Sequence, residues 1–158
     1  MTIIIRKILL TNLLFFLLVS CGFAPIYSVN KDVNFYIESI NFSNSDKELA
    51  NFIKTNLNNY LLKNNKKNFK IEASINYNKK PISKDSTGNT EEYELSSNSI
   101  IKIFNNELNK TFQFKEANIM KNFVDEFEEM QYERSAKKNM ARSISSQILM
   151  QLSIINAN

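Results

Sequence analysis

Residues 33–42 read Val-Asn-Phe-Tyr-Ile-Glu-Ser-Ile-Asn-Phe. Val33, Phe35 and Ile37 alternate with Asn34, Tyr36 and Glu38, which predicts a half-buried strand. Ser45-Asp46-Lys47-Glu48 then has the spacing of a capping box, with Ser45 and Glu48 placed to satisfy each other's end amides. Behind it Leu49, Phe52, Ile53, Leu57, Tyr60 and Leu61 recur at helical spacing. Asn64, Lys66 and Lys67 suit the end of that helix, where cations complement the dipole.

Phe69, Ile71, Ala73, Ile75 and Tyr77 alternate with Lys70, Glu72, Ser74 and Asn76 and predict a second strand. Asn78 to Glu92 is polar, holds Pro81 and Gly88, and reads as a loop. Tyr93–Phe104 and Thr111–Ala117 predict a hairpin turning at Asn105-Asn106. A long helix follows from about Asp125 to Ile155, because Ala136, Met140, Ile144, Ile148 and Leu152 fall every fourth residue. The expected fold is α+β, a two-layer sandwich in which two helices pack on one face of a four-stranded sheet, in the order β-α-β-β-β-α. Residues 33–155 form that single domain, and residues 21–32 tether it.

Ahead of the domain, Arg6 and Lys7 precede a mostly apolar run from Ile8 to Val19, the pattern of a secretory signal peptide over residues 1–20. An uncleaved anchor is the alternative, but reaching ~20 apolar residues would bury Arg6 and Lys7. Leu18-Val19-Ser20-Cys21 ends the run and resembles the lipobox of bacterial lipoproteins. That likeness implies cleavage before Cys21, a diacylglycerol on its sulfur and usually acylation of the new amine. The alternative is a signal peptide that happens to end near a buried cysteine. One acyl chain binds membranes marginally and stable anchoring takes two, so a lipidated Cys21 is a lasting anchor. Gly22 stands where Asp would favour inner-membrane retention, which leans towards the outer membrane.

Composition narrows the chemistry. The net charge is +4, and losing Arg6 and Lys7 leaves +2, too mild for a nucleic-acid footprint. The chain has no His, no Trp and one Cys. The commonest general base is missing, and multi-Cys zinc patterns and internal disulfides are excluded. With Gly22 and Gly88 the only glycines, there is no Gly-rich phosphate loop. We expect no enzyme, no cofactor and no metal. The acidic cluster Glu91, Glu92 and Glu94 suggests a glycosidase-type carboxylate pair, Glu92 and Glu94 sharing a strand face, yet no sugar-stacking Trp accompanies them; Glu126, Glu128 and Glu129 suit a helix start.

Two stretches resemble the lipopolysaccharide-assembly lipoproteins, the LptE family. Cys21-Gly22-Phe23-Ala24-Pro25-Ile26-Tyr27 is similar to the Cys-Gly-Phe-x-Pro-Leu-Tyr start of alphaproteobacterial members, departing at Ile26. Tyr132-Glu133-Arg134 through Leu152, with Asn139, Met140, Ala141, Ile144 and Ile148, resembles the family's final helix. The resemblance implies a non-catalytic lipoprotein on the periplasmic side of the outer membrane. There it would help assemble and plug an LptD-type β-barrel and would bind lipopolysaccharide. Lys79, Lys80 and Lys84, on the expected loop, are the candidate contacts for lipopolysaccharide phosphates; the ordinary alternative is solvated lysines. Lys137 and Lys138 read as the solvent face of the last helix. Asn, the commonest residue, would suit a polar barrel lumen, although an AT-rich genome explains it equally. The competing reading is a periplasmic ligand-binding lipoprotein without a barrel partner.

Overall fold

The computed structural model describes residues 35–61 and 67–157. Their order is β1 (Phe35–Phe42), α1 (Lys47–Leu57) with a short 3-10 turn (Asn58–Tyr60), β2 (Lys67–Lys84), β3 (Thr90–Phe104), β4 (Asn109–Lys121) and α2 (Glu126–Ala157). This is the expected β-α-β-β-β-α domain: one four-stranded sheet in the order β1-β2-β3-β4, with two helices. β1 and β2 run parallel, joined by the crossover through α1, and the two later pairings are antiparallel.

β1 alternates only as far as Ile37. Phe35 and Ile37 face the core, a bulge falls at Glu38, and Ile40 and Phe42 then turn inward beside Ile71 and Ala73. The extra residue is how a strand whose apolar positions change parity keeps them all on one face.

The start of α1 corrects the sequence reading. Asp46, not Ser45, is the N-cap, its carboxylate accepting from the Leu49 amide at 2.8 Å. Ser45 instead bridges to β2, its Oγ accepting from the Ile75 amide at 3.1 Å. Leu49, Ala50, Ile53 and Leu57 are buried. Asn44 takes a left-handed conformation, φ 48°, a turn role that Asn tolerates. Lys67 opens β2 and does not end the helix, while Asn64 and Lys66 lie outside the described residues.

A second correction concerns residues 78–92. β2 runs on to Lys84 and β3 starts at Thr90, so only Asp85–Asn89 turns. Pro81 survives inside β2 because β1 ends opposite Ala73, leaving that side of β2 an edge where a missing N–H breaks no ladder bond. Asp85 accepts from the Thr87 and Asn89 amides, each at 2.9 Å, and Gly88 sits at φ 90°. Hydrogen bonds from Thr87 and Asn89 lower the Asp85 pKa. The second hairpin closes at 105–108, where the Asn105 carbonyl side chain accepts from the Glu107 amide.

α2 is capped by Asp125, whose Oδ1 accepts from the Phe127 and Glu128 amides at 2.7 and 3.1 Å. Its stripe Ala136, Met140, Ile144, Ile148 and Leu152 is buried, joined by Ala141 and Ile155. These side chains close one core with Leu49, Ile53, Phe69, Ile71, Ile101 and Ile103. Asp125→Ala should destabilise the chain by about 1 kcal/mol through the lost cap. Thermal unfolding checks this, and an unchanged midpoint would show that the first turn frays in the native state.

Candidate functional site

The three candidate lysines do not form a cluster. All lie on β2 and not on a loop, and neighbours on a strand face opposite ways. Lys79 points inward, its Nζ bonded to Glu129 and, at 3.3 Å, to Glu133, and lies 4.8 Å from the Tyr93 ring centroid. Burial alone would lower its pKa, but the hydrogen bonds to Glu129 and Glu133 outweigh this and raise it. Lys80 is exposed on the outer sheet face, in register with Glu94, and Lys84 is exposed at the strand's end, opposite Thr90. Cys21 lies outside the described residues.

Lys79 belongs to a charged seam between the sheet and the two helices. Its centre is Lys137, 9% exposed, so the expectation of a solvent-facing Lys137 is overturned, whereas Lys138 is exposed as expected. The Lys137 ammonium lies 3.2 Å from Asp46, 3.6 Å from Glu48 and 3.8 Å from Glu133. It also sits 4.3 Å from the centroid of the Tyr77 ring. Burial raises the Tyr77 pKa, and the carboxylates of Glu133, Asp46 and Glu48 add to the rise, so the phenol stays protonated. Arg134 joins Glu48 at 3.3 Å. The seam thus ties β2, the α1 cap and α2 together through groups that neutralise one another. A signal for Lys137 was present: it lies three residues before Met140 and seven before Ile144, on the buried stripe.

The outer sheet face is mostly polar and built in rungs, with Ile100 and Ile119 exposed among them. Asn76 is in register with Asn98, and Asn98 with Lys115; Asn78 with Ser96, and Ser96 with Ala117. Gln113 donates to Asn98 at 2.9 Å. Nearer the start of β1, Lys102 pairs with Glu72 and Lys70 with Glu38, each at 3.4 Å. Glu92 and Glu94 are in register with Lys121 and Ile119 at the other end of this sheet, and Glu91 is skipped by the pairing.

In the helix layer, an open cleft of about 580 Å³ lies where α2 begins, lined by Glu48, Glu126, Glu129, Met130, Glu133 and Arg134, with Gln131. Glu126 and Glu129, two of the three acids expected to stabilise the helix start, therefore also line this cleft, and Glu129 binds Lys79. Among the described residues no group of acids or cysteine is placed to hold a metal ion, and no helix is long and apolar enough to cross a membrane.

No protein-family model matches this chain, and no curated protein sequence matches it significantly. Solved structures do. Rare lipoprotein B from Shewanella oneidensis superposes with a TM-score of 0.61 at 16% identity, covering 78% of this chain and 97% of its own. Lipoprotein B from Nitrosomonas europaea gives 0.61 at 15%, covering 83% and 92%. A minor lipoprotein from Acinetobacter baumannii gives 0.57 at 15%, covering 77% and 92%. At such identities the likeness establishes the architecture: this chain has the fold found in these bacterial lipoproteins.

Proposed function

We propose that this chain is a lipid-anchored outer-membrane lipoprotein of the LptE type. It assembles with and plugs an LptD-type β-barrel from the periplasmic side and aids lipopolysaccharide transport. The observation that carries the reading is Leu18-Val19-Ser20-Cys21, ending a secretory pattern ahead of a domain with the fold of solved lipoproteins. The outer sheet face supports the plug. Asn76, Asn78, Ser96 and Asn98 offer neutral hydrogen-bonding groups to a lumen that is itself polar.

The role is that of a scaffold, in which the charged groups hold the fold and no group performs chemistry on a substrate. For lipopolysaccharide phosphates, Lys80 and Lys84 are the better candidates, because Lys79 would have to surrender Glu129 and Glu133. A ligand-binding role without a barrel finds less support. The open cleft at the start of α2 presents mainly carboxylates, a poor match for an anionic small molecule.

The test is detergent extraction of the full-length chain, tagged at its C-terminus and expressed at native level. A large, heat-modifiable β-barrel should co-purify, and a free monomer would sink the reading. In the same cells Cys21→Ala should abolish incorporation of labelled palmitate and leave the precursor uncleaved. Labelled mature protein from that variant would show the anchor to lie elsewhere.

A further inference from the structure

α2 outreaches α1. Its 32 residues span about 48 Å and the 11 of α1 about 16 Å, at 1.5 Å per residue. Glu48 at the start of α1 meets Arg134 and Lys137, and Asn56 near its end meets Ser145. The two helices therefore run side by side from about residue 134 onward, and the first two turns of α2 extend beyond the start of α1. The sheet is short in the same place. β1 ends opposite Ala73, and no strand among the described residues pairs with the far side of β2 from there to Lys84.

The uncovered turns are apolar as well as acidic. Val124 is fully exposed, Phe127 is 62% and Met130 58% exposed. Phe127 and Met130 stand three residues apart, on neighbouring positions of one helix face. Exposed side chains of this size, grouped and rimmed by polar groups, mark interaction sites. On the cleft wall Glu48, Glu126, Glu129 and Glu133 face Arg134, with Lys79 and Lys137 beneath. Asp125 and Glu128 add charge to the same turn, so carboxylates outnumber cations and the complement is basic.

From this we infer that the cleft ahead of α1 docks a cationic amphipathic segment of a partner protein, laid beside the first two turns of α2 in line with α1. Its apolar side chains cover Phe127 and Met130, and its Lys or Arg side chains meet Glu126. The inference deepens the proposed function by assigning a partner-binding surface, and it rests on that reading for the expectation that the segment belongs to the barrel.

The test is photo-crosslinking in cells, with a benzophenone amino acid at Met130 or Gln131 of the full-length chain and the captured peptide mapped by mass spectrometry. A captured segment carrying Lys or Arg beside apolar residues supports the docking site. Its yield should fall at least tenfold in Glu126→Lys and hold in Glu128→Lys, a first-turn acid that does not line the cleft and whose reversal costs the helix start a comparable loss of thermal stability. No captured protein at either position, an acidic captured segment, or a yield indifferent to charge reversal at Glu126 would each overturn it. The identity of the captured protein speaks to the other proposal separately. A cationic segment from a protein that is not a β-barrel keeps the docking site and sinks the barrel partnership.

Discussion

Replacing Phe69 with alanine is expected to lower stability by about 3–5 kcal/mol, the range for a large aromatic deleted from a packed interior. Phe69 is fully buried on β2, in register with Ile37 of β1. Its ring meets Phe35 edge-on, centroids 6.3 Å apart, and Phe35 in turn stacks on Tyr60 after α1. The substitution therefore opens a void where β1, β2 and the α1 crossover converge. With a denaturant slope of about 1.5–2 kcal/mol per molar, the urea midpoint should drop by roughly 2 M. Phe69→Leu keeps most of the volume and should shift the midpoint far less. Equal losses for both variants would mean that ring stacking, and not volume, governs the site.

The second large effect is expected at Lys137. Removing one partner of a buried ion pair leaves the other charge uncompensated, at about 3–5 kcal/mol. The partners here, Asp46, Glu48 and Glu133, keep some contact with water, so we expect about 2–3 kcal/mol for Lys137→Met. Methionine retains an unbranched chain over the Tyr77 ring, which isolates the charge from the packing. Adding Asp46→Asn and Glu133→Gln should recover most of the loss, because Asn still caps α1 and the stranded carboxylates are gone. If the triple variant is no more stable than Lys137→Met alone, the seam acts through packing on Tyr77.

Alkaline pH probes the neighbouring cation. Lys79 has a raised pKa in the folded chain. Its contribution is complete below the unfolded value and fades as pH climbs through the folded one. Acidification to neutral pH leaves it intact.

The sequence pattern revealed the elements that bury one face, and failed where burial stops. The stripe from Ala136 to Leu152 repeats every fourth residue and is the wall of the core. β2 was visible as far as Tyr77. Beyond it Asn78-Lys79-Lys80-Pro81 shows no alternation, since β1 has ended and the strand has one neighbour and mostly exposed side chains. Its strand character there comes from pairing with Tyr93, Glu94 and Leu95, a tertiary fact. The lysines were misplaced for the same reason: a loop would have gathered Lys79, Lys80 and Lys84, whereas a strand separates them. Ser45 and Asp46 are both competent caps, and composition alone could not rank them. The bond from the Ile75 amide to Ser45 decides it, and that bond depends on β2 lying alongside.

The long final helix has a consequence for how the polypeptide comes together. Residues 136–155 supply one wall of the interior, and until it arrives the layer holding Phe69, Ile71, Ile101 and Ile103 has only the short α1 and its neighbours to rest against. The two hairpins can zip locally, but the layer they present stays greasy and open on one side. A nascent chain is therefore an unfinished amphiphile, prone to clumping until its last twenty residues are made.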